Sequence, residues 1–190
     1  MRILLVTCYF YPQNRIAVLR VGQWAKYWAL QGHEVTVLTT QKYAFLGPHG
    51  LEPAMPTGIK VVEVPYLPAW LRQRLERRAP VRKDDGATPE TAGQRLRLRV
   101  RRLRSHIGSL IDIHDLWIGP ARRKGLEIMT RHRYDAIVSS HSPPAAHMVA
   151  SHLKAAHPQT LWLADFRDLW ARNHITSARG ILRNIENTLE

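Results

Sequence analysis

The hydrophobic pattern of the first forty residues predicts a strand, a helix and a second strand. Residues 2–7 form a nearly unbroken apolar run, which is typical of a strand buried on both faces of a parallel sheet. From Ile16 the apolar residues recur at helical spacing until Gly32, a residue suited to ending a helix. A second apolar run follows at 34–40. This unit predicts a doubly wound α/β domain, in which ligands bind at the carboxyl ends of the strands.

The remaining apolar pattern continues the alternation of strands and helices around one long basic stretch. In that stretch, residues 79–93 have the composition of a flexible linker, and residues 94–111 have the apolar spacing of an amphipathic helix rich in arginine. We therefore expect one Rossmann-like domain over 1–190, with a doubly wound parallel sheet and a basic helical insertion at about 66–133. The further elements are predicted, in chain order, at 59–64 (strand), 121–129 (helix), 134–140 (strand), 142–156 (helix), 160–164 (strand) and 181–189 (helix).

The positive charge of the chain is concentrated in the insertion. Residues 66–133 hold 17 Lys/Arg and 7 Asp/Glu, which is +10 of the formal charge of +13. An arginine-rich amphipathic helix suits an anionic membrane surface, and the candidate contacts are Trp70, Arg97, Arg101 and Arg104. Nucleic acid is the alternative partner, but no recognised nucleic-acid module accompanies the helix. A third interpretation is that the helix only packs on the domain and leaves a solvated basic face.

The composition also bears on compartment and cofactors. Cys8 is the single cysteine, and no apolar run approaches the roughly 20 residues of a membrane span. We therefore expect a cytoplasmic protein, peripheral on the inner face of the plasma membrane if the basic helix docks there. The ten histidines lack the spacing of metal ligands, so no metal or other cofactor is expected.

Polar side chains follow three of the predicted strands, where a doubly wound sheet places its chemistry. These candidate site residues are Asn14, Arg15, Ser140, His141, Asp165, Arg167 and Asp168. The hydroxyls and backbone N–H groups near His141 suit phosphate or sugar oxygens, although Ser142 could simply cap the next helix. Asp165 and Arg167 could likewise form only an internal ion pair. Three charged residues beside Phe166 are nevertheless costly to desolvate without a partner, which favours a polar ligand.

Several segments together resemble one enzyme family. They are Ile3-Leu4-Leu5-Val6 with Tyr9-Phe10 and Pro12, Gly32-His33-Glu34-Val35-Thr36-Val37, Trp117 with Pro120-Ala121, Tyr134-Asp135-Ala136-Ile137-Val138-Ser139-Ser140 with Pro143-Pro144, and Ala164-Asp165-Phe166-Arg167-Asp168-Leu169-Trp170. In this order the chain resembles the N-terminal domain of retaining GT-B glycosyltransferases of the family-4 type, particularly those of bacterial cell-surface polysaccharide synthesis. The segments span nearly the whole chain.

The resemblance implies a function and a division of labour. In such enzymes the N-terminal domain mainly holds a saccharide or lipid-linked acceptor, and a C-terminal domain binds the nucleotide-sugar donor. Nothing here matches that second domain, so we expect a natural truncation or a domain piece that is inactive alone, with a catalytically dead remnant as another interpretation. Many relatives carry a Gly-Gly pair where Asn14-Arg15-Ile16-Ala17 stands, and Arg15 and Arg20 could contact phosphate by charge instead.

The resemblance also implies roles for the candidate residues. Asn14 and Arg15 are assigned to the phosphate or sugar side of the cleft. His141 is assigned to a sugar hydroxyl and is the one catalytic candidate. Asp165, Arg167 and Asp168 are assigned to orienting the acceptor, and the departing phosphate takes the proton in the retaining reaction. The alternative function is a basic nucleic-acid-binding or non-catalytic interaction domain.

Overall fold

The computed structural model describes residues 1–46, 48–51, 56–78, 113–141 and 143–166. In these parts of the chain, five parallel strands form one sheet in the order β3-β2-β1-β4-β5. The strand order reverses direction between β1 and β4, which is the switch point of a doubly wound sheet. The expected α/β class is confirmed. The strand bounds are β1 Arg2–Thr7, β2 Glu34–Thr40, β3 Ile59–Val64, β4 Ala136–Ser140 and β5 Leu161–Asp165.

Within the described residues, four helices cover the two faces of the sheet. Helix α1 lies on one face, where Val21 and Ala25 join a buried cluster with Leu5 of β1. Helices α2, α3 and α4 contribute side chains to the cluster on the opposite face, which contains Leu4 and the fully buried Trp117. The helix bounds are α1 Ile16–Leu30, α2 Ala69–Arg78, α3 Asp115–Arg131 and α4 Ala145–Ala156, with a 3-10 turn at Ala44–Leu46.

Helix α3 begins at Asp115, six residues before the predicted start at Ala121. The prediction that the helix starts after Pro120 was wrong. Pro120 is the sixth residue of the helix, beyond the first four whose N–H groups lack an intrahelical acceptor, so the helix forgoes the hydrogen bond that residue 120 would donate to the Leu116 carbonyl. Trp117, in the first turn, is fully buried against the sheet and anchors the residues before the proline. Part of the segment predicted as an insertion therefore packs on the domain core.

The predicted start of the fourth helix also needs correction. Pro144 is the N-cap residue of α4, so Pro143 is not its first helical residue. Ser142, the predicted cap, lies outside the described residues, as do the predicted helices at 94–111 and 181–189. The remaining predicted elements agree with the structure within two residues at their ends.

Candidate functional site

Three chain segments meet at one edge of the sheet. Because β1, β4 and β5 are parallel neighbours, the residues after each strand emerge at the same carboxyl edge. The Ser140 hydroxyl donates to Asp165 Oδ2 at 2.9 Å, and the His141 backbone N–H donates to the Asp165 carbonyl at 2.9 Å. The sequence prediction that these segments share an edge is therefore confirmed for the described residues.

Asp165 links the carboxyl edge to α1. Its Oδ1 accepts from Arg20 Nη2 at 2.6 Å, and the Arg20 guanidinium also lies 4.9 Å from the centre of a Trp24 ring. Arg167, the ion-pair partner that the sequence suggested for Asp165, lies outside the described residues. In the structure Asp165 forms its ion pair with Arg20. Since Asp165 compensates its charge, Arg20 is a poor phosphate contact, contrary to the sequence-based suggestion.

A buried hydrogen-bond chain lies directly below this edge. Trp162 Nε1–H donates to Ser139 Oγ at 2.9 Å, and Ser139 Oγ is 2.7 Å from His147 Nδ1. Burial lowers the pKa of His147 to about 4, with His141 adding to the effect and Asp165 opposing it. The imidazole of His147 is therefore neutral at physiological pH.

Three aromatic rings are grouped beside this chain. His141 and His147 are nearly parallel with centroids 5.7 Å apart, and Phe166 lies 4.5 Å from His147 and 6.2 Å from His141. Both histidines are buried, whereas Phe166 is 46% exposed. Phe166 thus forms the solvent side of the group.

Asn14 and Arg15 lie on the far side of the edge, in the segment between β1 and α1. Backbone hydrogen bonds join this segment to residues 48–51, including Asn14 N–H to the Pro48 carbonyl at 2.8 Å. Both side chains are exposed, and the Arg15 guanidinium lies 4.9 Å from the centre of the Tyr9 ring. Arg15 is also the N-cap residue of α1, whose amino end has no side-chain cap. A cation and uncapped N–H groups therefore lie together here.

An aromatic group and a half-buried lysine complete this side. Tyr9 meets His114 edge-on at 5.3 Å, and His114 stacks on Tyr66 at 5.9 Å. Lys42 Nζ donates to Thr39 Oγ1 and to the Thr40 carbonyl, each at 2.7 Å. Burial lowers the pKa of Lys42 to about 8, opposed by Glu63 and Cys8. The Thr40 hydroxyl donates to the Cys8 carbonyl at 2.7 Å, which holds the end of β2 beside the segment that follows β1.

Other sequence candidates cannot be placed. Arg167 and Asp168 lie outside the described residues, as do the proposed membrane contacts Arg97, Arg101 and Arg104. Trp70 is in α2 and is 65% exposed. No helix in the described part of the chain is long and apolar enough to span a bilayer.

Sequence analysis missed two residues of the edge. His147 occupies an apolar position of α4 between alanines and valine, which gives it the pattern of an ordinary core residue. One feature of the sequence could have indicated His147. It lies in the first turn of the helix that follows β4, and β4 ends in two serines. Lys42 carried a similar signal, since it is a cation two residues beyond a buried strand.

A cavity of about 760 Å³ lies elsewhere, near the amino ends of β1 and β2 and along β3. Its lining includes two ion-paired groups, Arg2 with Glu34 and Lys124 with Glu127, each at 2.8 Å. Those four charges are thus already partnered, and parallel sheets bind ligands at the other edge. Among the described residues, no three His, Cys, Asp or Glu side chains form a possible metal site.

Comparisons with known proteins give distant structural alignments. No family model and no curated protein matches the sequence. Among solved structures, the C-terminal domain of a hydrogenase from Pyrococcus furiosus aligns at 13% identity and a TM-score of 0.39, over 86% of this chain and 89% of that one. A Streptomyces glycosyltransferase complexed with thymidine diphosphate aligns at 18% identity and a TM-score of 0.39, over 86% of this chain and 38% of that one. Likenesses this distant carry no argument about function.

Proposed function

We propose that this chain is the acceptor-binding domain of a glycosyltransferase that moves a sugar, with retention, from a nucleotide-sugar to a saccharide or lipid-linked acceptor. The donor would be held by a second domain, and the chain alone would be inactive. The observation that carries the proposal is the meeting of the Tyr9–Arg15 segment, Ser140–His141 and Asp165 at one carboxyl edge. Tyr9, Ser140 and Asp165 in these segments are among the residues on which the sequence resemblance depends.

The charges along the edge support a ligand with one anionic and one neutral part. At the β1 side, Arg15 is exposed beside the uncapped amino end of α1, an arrangement that favours phosphate. At the β5 side, Arg20 and Asp165 balance each other. A saccharide joined to a phosphate has this polarity, whereas a duplex would require cations along the whole edge.

The geometry gives the residues different roles in this proposal. Asp165 uses both carboxylate oxygens, one on Arg20 and one on Ser140, so it positions the β4 and β5 segments. Asn14 and Arg15 would contact the phosphate, and His141 would contact a sugar hydroxyl. Arg167 and Asp168 remain candidates for orienting the acceptor. Positioning and electrostatic stabilisation are what such a domain contributes to transfer.

An array that carries both saccharides and nucleic acids tests the proposal. Bacterial surface saccharides, lipid-linked sugar diphosphates, and single- and double-stranded oligonucleotides would be probed with the 190-residue chain. We expect capture of one or more saccharides, weakened by Arg15→Ala and unaffected by Arg122→Ala on the exposed surface of α3. Capture of oligonucleotides alone would favour the nucleic-acid alternative. Turnover of a nucleotide-sugar by this chain would contradict its assignment to the acceptor side.

We also propose that α2 docks this domain on an anionic membrane surface. Leu71 and Leu75 pack on the core, while Trp70 is 65% exposed beside the arginines of the same helix. An exposed tryptophan flanked by arginines is typical of a helix lying in a lipid interface. This would bring a lipid-linked acceptor to the carboxyl edge, and Arg97, Arg101 and Arg104 would extend the basic surface.

A further inference from the structure

We propose that the outer edge of β3 binds an extended peptide in which acidic and apolar residues alternate. The site is the cavity of about 760 Å³ that is lined by residues 58–63 and by one side of α3, called the β3 groove below. No candidate residue of the carboxyl edge that the structure describes lines this groove. The proposal therefore does not depend on saccharide binding at that edge.

The backbone of β3 has groups that no described strand pairs with. β3 is the last strand on its side of the sheet, and its one neighbour there among the described residues is β2. Val35 N–H donates to the Gly58 carbonyl at 3.0 Å, and the parallel register repeats this pattern every two residues. Ile59, Val61 and Glu63 therefore direct their N–H and C=O groups away from β2. An added peptide strand can form main-chain hydrogen bonds with such an open edge.

One side of an added strand would face a surplus of positive charge. Lys60 lies on the same face of β3 as Val62, which packs on the core cluster beneath α3. Across the groove, Glu127 accepts from Lys124 at 2.8 Å and from Arg131 at 2.9 Å, so two cations share one carboxylate. Lys60 forms no ion pair with a described residue. Three cations and one carboxylate give this side a formal charge of +2, which suits acidic side chains.

The other side of the added strand would meet an apolar surface. Val61 is 43% exposed, and Ile59 on the same face packs on the cluster beneath α1. Glu63 shares this face and would repel an acidic side chain placed beside it. Because successive side chains of a strand point to opposite faces, the peptide that fits has acidic residues toward α3 and apolar residues toward α1.

The charge of the groove disfavours a second copy of this chain as the occupant. Two β3 edges joined across a two-fold axis would form one continuous sheet, with the positive sides of both chains on the same face. Like charges placed opposite each other destabilise such a pairing, and an edge lysine is a common protection against it. A peptide of opposite charge gains both the hydrogen bonds and the ion pairs.

Fluorescence anisotropy on the 190-residue chain tests the proposal with three short labelled peptides. The first alternates valine with glutamate, the second has the same composition with valines and glutamates in separate blocks, and the third alternates valine with lysine. We expect the alternating acidic peptide to bind most tightly, more weakly as salt rises, and to shift the backbone amides of Ile59, Val61 and Glu63. Equal binding of the two acidic peptides, or of the lysine peptide, would overturn the proposal.

Two pairs of variants separate the backbone contribution from the charge. Val61→Pro removes an outward N–H without removing a hydrogen bond to β2, whereas Val61→Thr keeps that donor. We expect Val61→Pro to bind the alternating acidic peptide at least about ten-fold more weakly than Val61→Thr. Lys60→Glu should weaken binding about five-fold, and Arg122→Glu, the same charge change on the opposite side of α3, should leave it unchanged. Equal effects within either pair of folded variants would contradict the proposal.

If Val61→Pro does not fold, N-methylated peptides test the pairing on the unmodified chain. In a paired strand, either the valine or the glutamate N–H groups point to β3, because the direction alternates along the strand. We therefore expect N-methylation of one set to abolish binding and N-methylation of the other set to preserve it. The same loss with both versions would show that the peptide does not pair as a strand.

The other possible occupants give different results. A concentration-dependent dimer in sedimentation equilibrium that Val61→Pro abolishes would assign the edge to a second copy and overturn the proposal. Displacement of the peptide by inorganic phosphate or by a single-stranded oligonucleotide at equal concentration would likewise overturn it, since the groove would then bind anions through charge alone. Saccharides that bind the carboxyl edge should leave the peptide bound, so this proposal and the proposed function can fail separately.

Discussion

At the residue scale, Asp165 is a charged group that joins three elements at the edge. It joins β5 to α1 through Arg20 and to β4 through Ser140, and 18% of its side chain is exposed. Because Asp165 is largely shielded from water, its ion pair with Arg20 should contribute more than a surface pair does.

A double-mutant cycle of Arg20→Met and Asp165→Asn measures this contribution. We expect a coupling free energy of about 1 kcal/mol in urea unfolding, against less than about 0.5 kcal/mol for Arg2→Met with Glu34→Gln. The Arg2–Glu34 pair is the matched control, since its contact is similar at 2.8 Å but Glu34 is 68% exposed. Equal couplings would show that Asp165 has no special positioning role.

His147 makes stability depend on pH. Its pKa is lowered to about 4 in the folded chain by burial, with His141 adding and Asp165 opposing, whereas an unfolded histidine titrates near 6.5. Between these values the unfolded state binds more protons, so stability must fall as pH drops from about 6.5 to 4. The loss from this residue should approach about 3 kcal/mol.

Comparison with His147→Phe isolates this effect. The stability advantage of the unmodified chain over the variant should shrink by that amount between pH 7 and pH 4, as measured by urea unfolding at each pH. His152→Gln should show the same pH dependence as the unmodified chain. A constant difference between the unmodified chain and His147→Phe would mean that the histidine is not held neutral by the fold.

At the element scale, a glycine lets α1 pack closely against the segment between β1 and α1. A Cβ atom built at Gly22 would collide with the Tyr11 ring, and that ring meets Phe10 edge-on at 5.2 Å. Gly22 therefore allows the helix to approach the segment that carries Asn14 and Arg15.

Gly22→Ala should lower the unfolding free energy by about 1–3 kcal/mol through overpacking, even though alanine is the better helix former. In a Tyr11→Ala background the same change should cost nothing, or stabilise by up to about 1 kcal/mol. Thermal or urea unfolding of the four chains gives both values. The same cost in both backgrounds would show that the tyrosine ring is not the obstacle.

Elements of this fold differ in how far the sequence predicts them. β1, β2 and β3 are predicted at their observed bounds because each is a short run rich in apolar and β-branched residues, which holds even for β3, the mostly exposed edge strand. The start of α3 is not predicted from the sequence, because the burial of Trp117 in the folded chain outweighs the local effect of Pro120. The Arg20–Asp165 pair could not be predicted either, since its partners are 145 positions apart and meet only through the strand order.

At the scale of the whole molecule, the exposed side of α2 extends the basic character of the chain beyond the sheet edge. Vesicles containing anionic lipid should bind the protein, and Trp70→Ala or Arg74→Glu with Arg77→Glu should weaken co-sedimentation. Each basic residue near such a surface contributes about 1 kcal/mol at physiological salt. Arg122→Glu with Arg123→Glu on α3 is the matched control, because it changes the net charge equally on another exposed surface.

Binding that falls equally in both double variants would indicate a non-specific effect of net charge. Better binding to single strands or duplexes than to vesicles at the same salt would assign the basic surface to nucleic acid. Rising salt should weaken the vesicle complex, since exposed charges are screened within about 8 Å at physiological ionic strength.

The most direct test of the central claim is a map of backbone amide shifts on addition of the saccharide that the chain captures from the array. We predict shifts at Arg15, His141 and Asp165, on three segments that share the carboxyl edge of the sheet. Shifts confined to the cavity at the amino ends of the strands, around Arg2 and Glu34, would contradict the assignment of the carboxyl edge as the acceptor site.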